Sequence, residues 1–296
     1  MAGNISHYHY VQNKSYPSPS NKNQILWHND LNDYKYEELI DKDFDPAKYF
    51  AHPEAISFPL KTIYPGLLIG SGYAHPALKE IDTDNKNDTG DFQLGFFFDH
   101  TTGLPVIPAS SVKGVIKTVF PSEIKNNYPE EKKKLINKKN ESKLKYINNI
   151  LSEKNVNFAI DEDNWENVFF ERKQVFLDAY ITGVEANTTV LYKIDTKEKD
   201  RSGKSVFRNE QREEKHLFAD DYITPHTKGI FKNPTPIRFL KIAPGVTFTF
   251  QFKLVEYKGE NGNVLLKPEG IKELFRQILL DFGIGAKRNV GYGQFI

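Results

Sequence analysis

Two serines and two lysines at the start of a predicted helix could bind an anion. Ser110 and Ser111 follow the apolar run 104–107 and a proline, so one of them is expected at the helix N-cap. Lys113 and Lys117 are four residues apart and therefore lie together on that helix. Unpaired N–H groups at a helix start attract negative charge, and phosphate is the anion this combination favours. The alternative is a capped surface helix whose lysines are only solvated.

A glycine interrupts the same helix. Apolar residues at Val112, Ile116 and Val119 recur at helical spacing and predict one buried face. Gly114 lies between the two lysines, where a glycine costs about 1 kcal/mol relative to alanine. Its presence indicates close approach of another backbone or of a ligand.

The last residues of the chain form a second cluster, in which four glycines flank a Lys–Arg pair. The glycines are Gly283, Gly285, Gly291 and Gly293. They allow tight turns and bring backbone N–H groups against a ligand. Lys287 and Arg288 could contact phosphate, and Tyr292 could stack on an unpaired base. The spacing matches neither a dinucleotide-binding fingerprint nor a P-loop. The alternative is a plain turn between a helix and an edge strand.

Composition limits the class of protein. The chain has 296 residues, and 22 Phe and 15 Tyr can build a sizeable core. A net charge of +1 argues against a free-standing, nonspecific nucleic-acid binder but allows a local basic groove. The absence of cysteine excludes disulfides and thiolate metal sites and fits a cytoplasmic location. Neither a run of about 18 apolar residues nor a signal-peptide pattern is present.

Three sequence blocks together resemble the RAMP superfamily of CRISPR-associated proteins, which are RNA-binding proteins. The blocks are LPVIPASSVKG at 104–114, DDYITPH at 220–226 and DFGIGAKRNVGYGQFI at 281–296. The second block is followed by NPTPIRFL at 233–240 and PGVTF at 244–248, and is similar to the family of subunit six in the Cmr complex, the type III-B effector. The resemblance runs from about Phe58 to the C-terminus, with gaps.

The resemblance implies a non-catalytic subunit that binds the guide RNA (crRNA) backbone and caps a type III-B filament in antiviral defence. The implied RNA-binding residues are Ser110, Ser111, Lys113, Lys117, Gly283, Gly285, Lys287, Arg288, Gly291 and Tyr292. The expected partners are crRNA, target RNA and the other Cmr subunits, namely the backbone RAMP, the small helical subunit and a second capping RAMP. No metal, cofactor or membrane is expected. For one RNA strand to cross both clusters, the helix start and the glycine loop would have to lie on one rim.

A metal-independent endoribonuclease that processes repeat RNA is the alternative within the same superfamily. It would need a general base, for which His75 and His226 are the candidates. Asp220 and Asp221 could hold a divalent metal with His226, but adjacent carboxylates on a strand point to opposite faces, which favours a structural or assembly role. Asp178 is a lone acid and is also expected to be structural. A third possibility is a purely structural protein without RNA contact.

The sequence predicts an α+β protein with an extended N-terminal segment. Residues 1–50 are expected to form an arm ordered by a partner, with a short helix around 37–40. Residues 51–296 are expected to form a ferredoxin-like (RRM-like) RAMP domain with two insertions. The insertion at about 121–166 is lysine-rich and is predicted to contain two helices. The insertion at about 195–216 is strongly charged and is predicted to be a mobile loop.

Hydrophobic periodicity places the remaining elements. Strands are predicted at 58–70 with a break at Pro65-Gly66, at 92–98, at 168–182 and at 188–194. Segments 236–241 and 246–255 are expected to pair across the turn 243–245. A hairpin turn is predicted at 260–263, followed by an amphipathic helix from Ile271 to Phe282 that ends at Gly283.

Overall fold

The computed structural model describes residues 46–70, 74–76, 91–94, 96–99, 102, 104–171, 174–199, 201–223 and 237–296. The helices are α1 (Pro46–Tyr49), α2 (Ala109–Val119), α3 (Glu130–Glu153), α4 (Trp165–Phe169) and α5 (Pro268–Phe282), with a 3₁₀ turn at Arg288–Val290. The strands are β1 (Ile56–Lys61), β2 (Ala74–Pro76), β3 (Asp91–Leu94), β4 (Phe97–Phe98), β5 (Pro105–Ile107), β6 (Val175–Phe176), β7 (Ala179–Val184), β8 (Thr188–Lys199), β9 (Ser205–Glu214), β10 (Phe218–Ile223), β11 (Ile237–Ile242), β12 (Val246–Lys253), β13 (Tyr257–Lys258) and β14 (Val264–Leu266). The predicted arm lies outside these residues except from Pro46 onward.

The larger sheet is antiparallel. Its strands lie in the order β1–β12–β7–β5–β4, and β6 pairs with the far end of β12. The C-terminal residues extend the sheet beyond β1, because Phe295 bridges to Thr62 and Ile296 exchanges two backbone hydrogen bonds with Lys61. The expected mixture of helices and antiparallel sheet is confirmed.

The centre of the core is the helix-facing side of β12. Phe248, Phe250 and Phe252 alternate along the strand as predicted, and all three are fully buried. Phe275 of α5 packs on Phe252, with ring centroids 5.4 Å apart. Burial of each such side chain contributes roughly 1.5–3 kcal/mol. The predicted amphipathic helix is therefore confirmed, and it covers this side of the sheet. Gly283 is its C-cap residue, and the backbone N–H of Gly283 donates to the carbonyl of Leu279.

The predicted pairing of 236–241 with 246–255 is wrong. β11 belongs to a second sheet, in which it pairs antiparallel with β10 and parallel with β3, and β2 completes the order. The turn at 243–245 carries the chain from that sheet to the larger one. Its backbone bonds to both sides, since Ala243 donates to the carbonyl of Leu217 and Gly245 donates to that of Thr62. Two strands joined by a short turn need not be hydrogen-bonded partners when each finds a better-matched strand elsewhere.

The lysine-rich segment 121–166 contains one long helix, α3, where two helices were predicted. Buried Asn140 anchors α3, because its side chain exchanges two hydrogen bonds with the backbone of Ser122. Tyr146 donates to the carboxylate of Asp281 at 2.6 Å and ties α3 to α5. The strand predicted at 168–182 begins instead as α4, and extended backbone starts only at Val175.

The charged segment at 195–216 is not a loop, which corrects the prediction. β8 and β9 form an antiparallel hairpin with a register that runs from Thr188↔Glu214 to Lys199↔Ser205. Contacts along β9 pair some of the charges, since Glu210 accepts from Arg212 at 2.9 Å and from Arg208 at 3.2 Å. A two-stranded ribbon that is exposed on both faces shows no alternation of apolar and polar residues, so its composition resembles that of a loop.

Among the described helices, none has both the length and the apolar character that a membrane crossing requires.

Candidate nucleic-acid interface

The first candidate cluster, which we call the helix-start patch, consists of Ser110, Ser111, Lys113 and Lys117 on α2. Neither serine is the N-cap, which corrects the prediction: Pro108 occupies that position and both serines lie within the first turn. The backbone N–H of Ala109 donates to Oδ1 of Asp178 at 2.6 Å. A carboxylate of the protein therefore holds the place predicted for a phosphate, and Asp178 has the structural role expected of it.

The two lysines of the helix-start patch lie against aromatic rings. The ammonium of Lys117 is 2.9 Å from Oε1 of Glu166, and both side chains are about half exposed. The ammonium of Lys113 is 5.7 Å from the centre of the Phe176 ring. An exposed ion pair contributes at most about 1 kcal/mol, so an incoming phosphate could replace Glu166 at small cost.

The helix glycine faces open space. A Cβ added to Gly114 would have no heavy atom within 4 Å among the described residues. The glycine borders an open cleft of about 720 Å³, whose other walls include Lys117, Asn140 and Trp165. The close backbone approach predicted at Gly114 is not made by the described part of the chain, and a ligand contact there stays a prediction.

The second cluster, which we call the glycine loop, comprises residues 283–293 and docks on the segment that follows β1. Ala286 donates its N–H to the carbonyl of Leu68 at 2.7 Å, and Gly293 donates to that of Gly66 at 2.8 Å. A Cβ on Gly285, where φ is +92°, would lie 2.1 Å from the Leu68 oxygen. On Gly293 it would lie 1.8 Å from a carbonyl oxygen of the loop itself.

These glycines allow the protein's own backbone to approach, and the N–H groups of Gly283, Gly291 and Gly293 bond within the protein instead of pointing to a ligand as predicted. The N–H of Gly283 bonds to Leu279, and that of Gly291 bonds to Arg288. Contact between the loop and RNA would therefore depend on its side chains. Lys287 is exposed, and its backbone adopts the left-handed conformation with a φ of +56°. Arg288 donates one guanidinium N–H to the carbonyl of Phe282 at 3.1 Å.

Tyr292 is not available for base stacking, which corrects a further prediction. The residue is only 8% exposed, and its hydroxyl donates to the carboxylate of Asp221. Lys241, which is also buried, donates to the same carboxylate at 2.5 Å. Burial opposes ionisation of Asp221, but hydrogen bonds from Lys241, Tyr292 and a backbone N–H hold its pKa below the usual value. Burial and the bond to Asp221 raise the pKa of Tyr292, so the phenol stays protonated at neutral pH.

A tyrosine that the sequence analysis did not select lies beside this cluster. Tyr64 is 83% exposed, and the ammonium of Lys241 lies 6.0 Å from the centre of its ring. Pro65, the next residue, lies directly against the glycine loop, since a Cβ on Gly291 would be 3.2 Å from its Cδ. The signal in the sequence was the predicted strand break at Pro65-Gly66, to which no functional role was assigned.

The helix-start patch and the glycine loop lie toward opposite ends of β12, and the crossing of both by one RNA strand stays a prediction. Lys113 contacts Phe176, which pairs with Phe252 near the end of β12. The glycine loop adjoins the end of β1, where Lys61 pairs with Thr247 near the start of β12. Five residues of strand separate these two positions, which is about 17 Å.

Few side-chain contacts are described for the remaining candidate residues. The backbone of His75 lies in β2 opposite Phe92. Asp220 and Asp221 are neighbours on β10, and Asp221 is engaged by Lys241 and Tyr292 as described above. His226 lies outside the described residues.

The structure is an α+β core with a basic glycine loop docked at the edge of its sheet. The amino-acid sequence identifies the family. The RAMP superfamily model matches residues 59–296, and the chain belongs to that superfamily. None of the curated proteins matches the sequence significantly.

Two solved structures are similar to the chain. One is a chain of type III-B Cmr-beta bound to cognate target RNA, with 24% identity and a TM-score of 0.42. The match covers 81% of the present chain, which spans only 57% of the length of that one. The other is Cmr6 from Pyrococcus furiosus, with 18% identity, a TM-score of 0.38, and coverage of 82% of the present chain and 97% of the other.

Proposed function

We propose that the chain is a non-catalytic crRNA-binding subunit of a type III-B CRISPR effector complex, that it caps the backbone filament, and that it acts in the cytoplasm. Membership of the RAMP superfamily supports this proposal, together with the sequence blocks that resemble a Cmr subunit. Its partners would be crRNA, target RNA and the other Cmr subunits.

We further propose that the core is ferredoxin-like. Such a core has the chain order βαββαβ and the spatial order 4-1-3-2. β1, α2, β7, β12, α5 and the C-terminal segment follow one another in the required chain order. In space the C-terminal segment lies next to β1, β1 next to β12, and β12 next to β7. β4 and β5 would then be additions at the edge beside β7.

The observation that carries RNA binding is the Lys287–Arg288 pair on the glycine loop. Within the described residues Lys287 has no ion pair, and Arg288 donates only to a neutral carbonyl. The loop is held by its hydrogen bonds to Gly66 and Leu68, so Lys287 is exposed and Arg288 half-exposed on a turn of fixed backbone. Cations held in this way contact phosphate without sequence preference, as guide binding requires.

Two other surfaces would add contacts. Lys113 and Lys117 would provide a second phosphate site near the other end of β12. The β8–β9 hairpin would reach over the RNA, because the four basic residues near its tip are exposed: Lys197, Lys199, Arg201 and Lys204.

The test is charge reversal in the assembled complex. Lys287→Glu combined with Arg288→Glu should weaken crRNA binding, measured by filter retention between 50 and 300 mM salt. Losing two phosphate contacts should reduce the slope of log affinity against log salt by about 1.4 for single-stranded RNA. The matched control reverses Lys138 and Lys139, which are exposed on α3. An unchanged slope in the loop variant would overturn RNA binding by the loop, and cleavage of repeat RNA by the chain alone in EDTA would overturn the non-catalytic role.

A further inference from the structure

We infer that Tyr64 is a stacking platform for one unpaired nucleobase of the RNA whose phosphates meet Lys287 and Arg288. This inference rests on the proposed function and adds to it a specific contact with a base. The residue that sequence analysis assigned to stacking, Tyr292, is buried, whereas Tyr64 presents its ring beside the same loop.

The ring of Tyr64 is displayed on a fixed backbone. On one side Ile63 donates to the carbonyl of Gln294, and on the other Gly66 donates to that of Ile63. Gly66 in turn accepts from Gly293. The turn that carries Tyr64 is therefore hydrogen-bonded on one side to Gly293 of the glycine loop and on the other to Gln294, the residue that follows it. A tyrosine has only two side-chain torsions, so a platform of this kind loses little conformational freedom on binding.

The surroundings of the ring suit a stacked base. Lys241 places its ammonium 6.0 Å from the centre of the Tyr64 ring and 5.4 Å from that of Tyr292. Asp221 compensates its charge, and Lys241 is buried, so it supports the rings from within and is not a phosphate ligand. The ring of Tyr64 is left as an exposed π-face, which stacks on any base regardless of sequence.

The position of Tyr64 relative to the cations fits one nucleotide path. Gly291 faces Pro65, since a Cβ added to it would lie 3.2 Å from Cδ of Pro65, and it directly follows the 3₁₀ turn that begins at Arg288. The ring and the two cations are therefore separated by a single short turn of chain. A nucleotide whose base lies on Tyr64 would bring its phosphate to the glycine loop, so stacking and charge contacts would act on neighbouring groups of one strand.

An exposed tyrosine is also a common anchor in protein interfaces, so a neighbouring subunit is the competing occupant. Charge favours RNA, because the adjacent Lys287 and Arg288 have no acidic partner among the described residues. The experiment must therefore read RNA affinity and subunit assembly separately.

The test uses the assembled complex with Tyr64→Ala, Tyr64→Phe and the control Tyr222→Ala. Tyr222 is 60% exposed, and because it follows Asp221 on β10 its side chain points to the opposite face from the cluster. Tyr64→Ala should weaken binding of single-stranded crRNA by about 5- to 140-fold. Tyr64→Phe and Tyr222→Ala should bind like the wild type. In crRNAs that carry 2-aminopurine at successive positions, one position should lose its fluorescence quenching only in Tyr64→Ala.

The outcomes separate this inference from the proposed function. Stacking carries no charge, so Tyr64→Ala should leave the salt slope unchanged while the double charge reversal lowers it. A normal RNA affinity in Tyr64→Ala, whether or not assembly with other subunits fails, would overturn the stacking role. If the double charge reversal also left the RNA affinity and the salt slope unchanged, the proposal that the loop binds RNA would be overturned as well. The ring is exposed, so we expect Tyr64→Ala to fold like the wild type, which its thermal midpoint would verify.

Discussion

Adding one methyl group to Gly285 should undock the glycine loop. The Cβ of Gly285→Ala would lie 2.1 Å from the carbonyl oxygen of Leu68, so loop and carbonyl must separate by about 1 Å. The separation would break the 2.7 Å hydrogen bond from Ala286 to the same oxygen, which contributes about 0.5–1.5 kcal/mol. Alanine at a φ of +92° costs a further 1–3 kcal/mol or so. The expected loss in free energy of unfolding is about 1.5–4.5 kcal/mol.

The matched control is the same substitution at the helix glycine. Gly114→Ala introduces a methyl group into open space within α2, where alanine is favoured by about 0.5–1 kcal/mol. The two variants should therefore move the free energy of unfolding in opposite directions when both are measured by urea denaturation. If Gly285→Ala were as stable as the wild type, the docking of the loop on Leu68 would be refuted.

Two further changes test the polar contacts around the candidate site. Asp178→Ala removes the acceptor at the start of α2 and should lower the free energy of unfolding by about 1 kcal/mol, measured by urea denaturation. Asp178→Asn keeps an acceptor oxygen and should lower it less. Equal losses in the two variants would exclude a capping role for Asp178. Because the folded-state pKa of Asp221 lies below its unfolded value of about 4, its stabilising contribution is present above that pH and is lost as pH falls through the folded-state pKa. Asp221→Asn should therefore destabilise the protein at pH 7, because it leaves Lys241 buried without its counter-ion. It should also reduce the loss of stability that accompanies acidification below about pH 4, and an unaltered acid limb would contradict this assignment.

Local patterns in the sequence predicted the parts of the fold that local physics decides. The alternation along β12 and the helical spacing of α5 each require one face to be buried, whichever partner covers it. The turn at 260–263 was also confirmed, because Gly259 exchanges backbone bonds with its far side at Gly262 and Asn263. The strand break at Pro65-Gly66 was found for the same reason, since proline and glycine act through their own backbone.

The errors concern partners that are distant in sequence. β11 pairs with β3, more than 140 residues earlier, and no local pattern reports that choice. The stacking role of Tyr292 failed because Asp221, 71 residues away, takes its hydroxyl. The first N–H of α2 is likewise capped from a distance, by Asp178, which left the nearby serines without that role. Residue type selects candidate polar groups, and tertiary pairing decides which of them are free to meet a ligand.

Charge compensation distinguishes the two clusters proposed to bind RNA. A phosphate that approaches the helix-start patch must displace Glu166 from Lys117, and it finds the first N–H of α2 already bonded to Asp178. At the glycine loop it meets Lys287, unpaired within the described residues, and Arg288, bonded only to a neutral carbonyl. With a net charge of +1 the overall field contributes little, so local imbalance decides where RNA is held. We therefore expect the glycine loop to be the principal contact and the helix start a secondary one, with the guide held chiefly at the end of the sheet where β1 finishes.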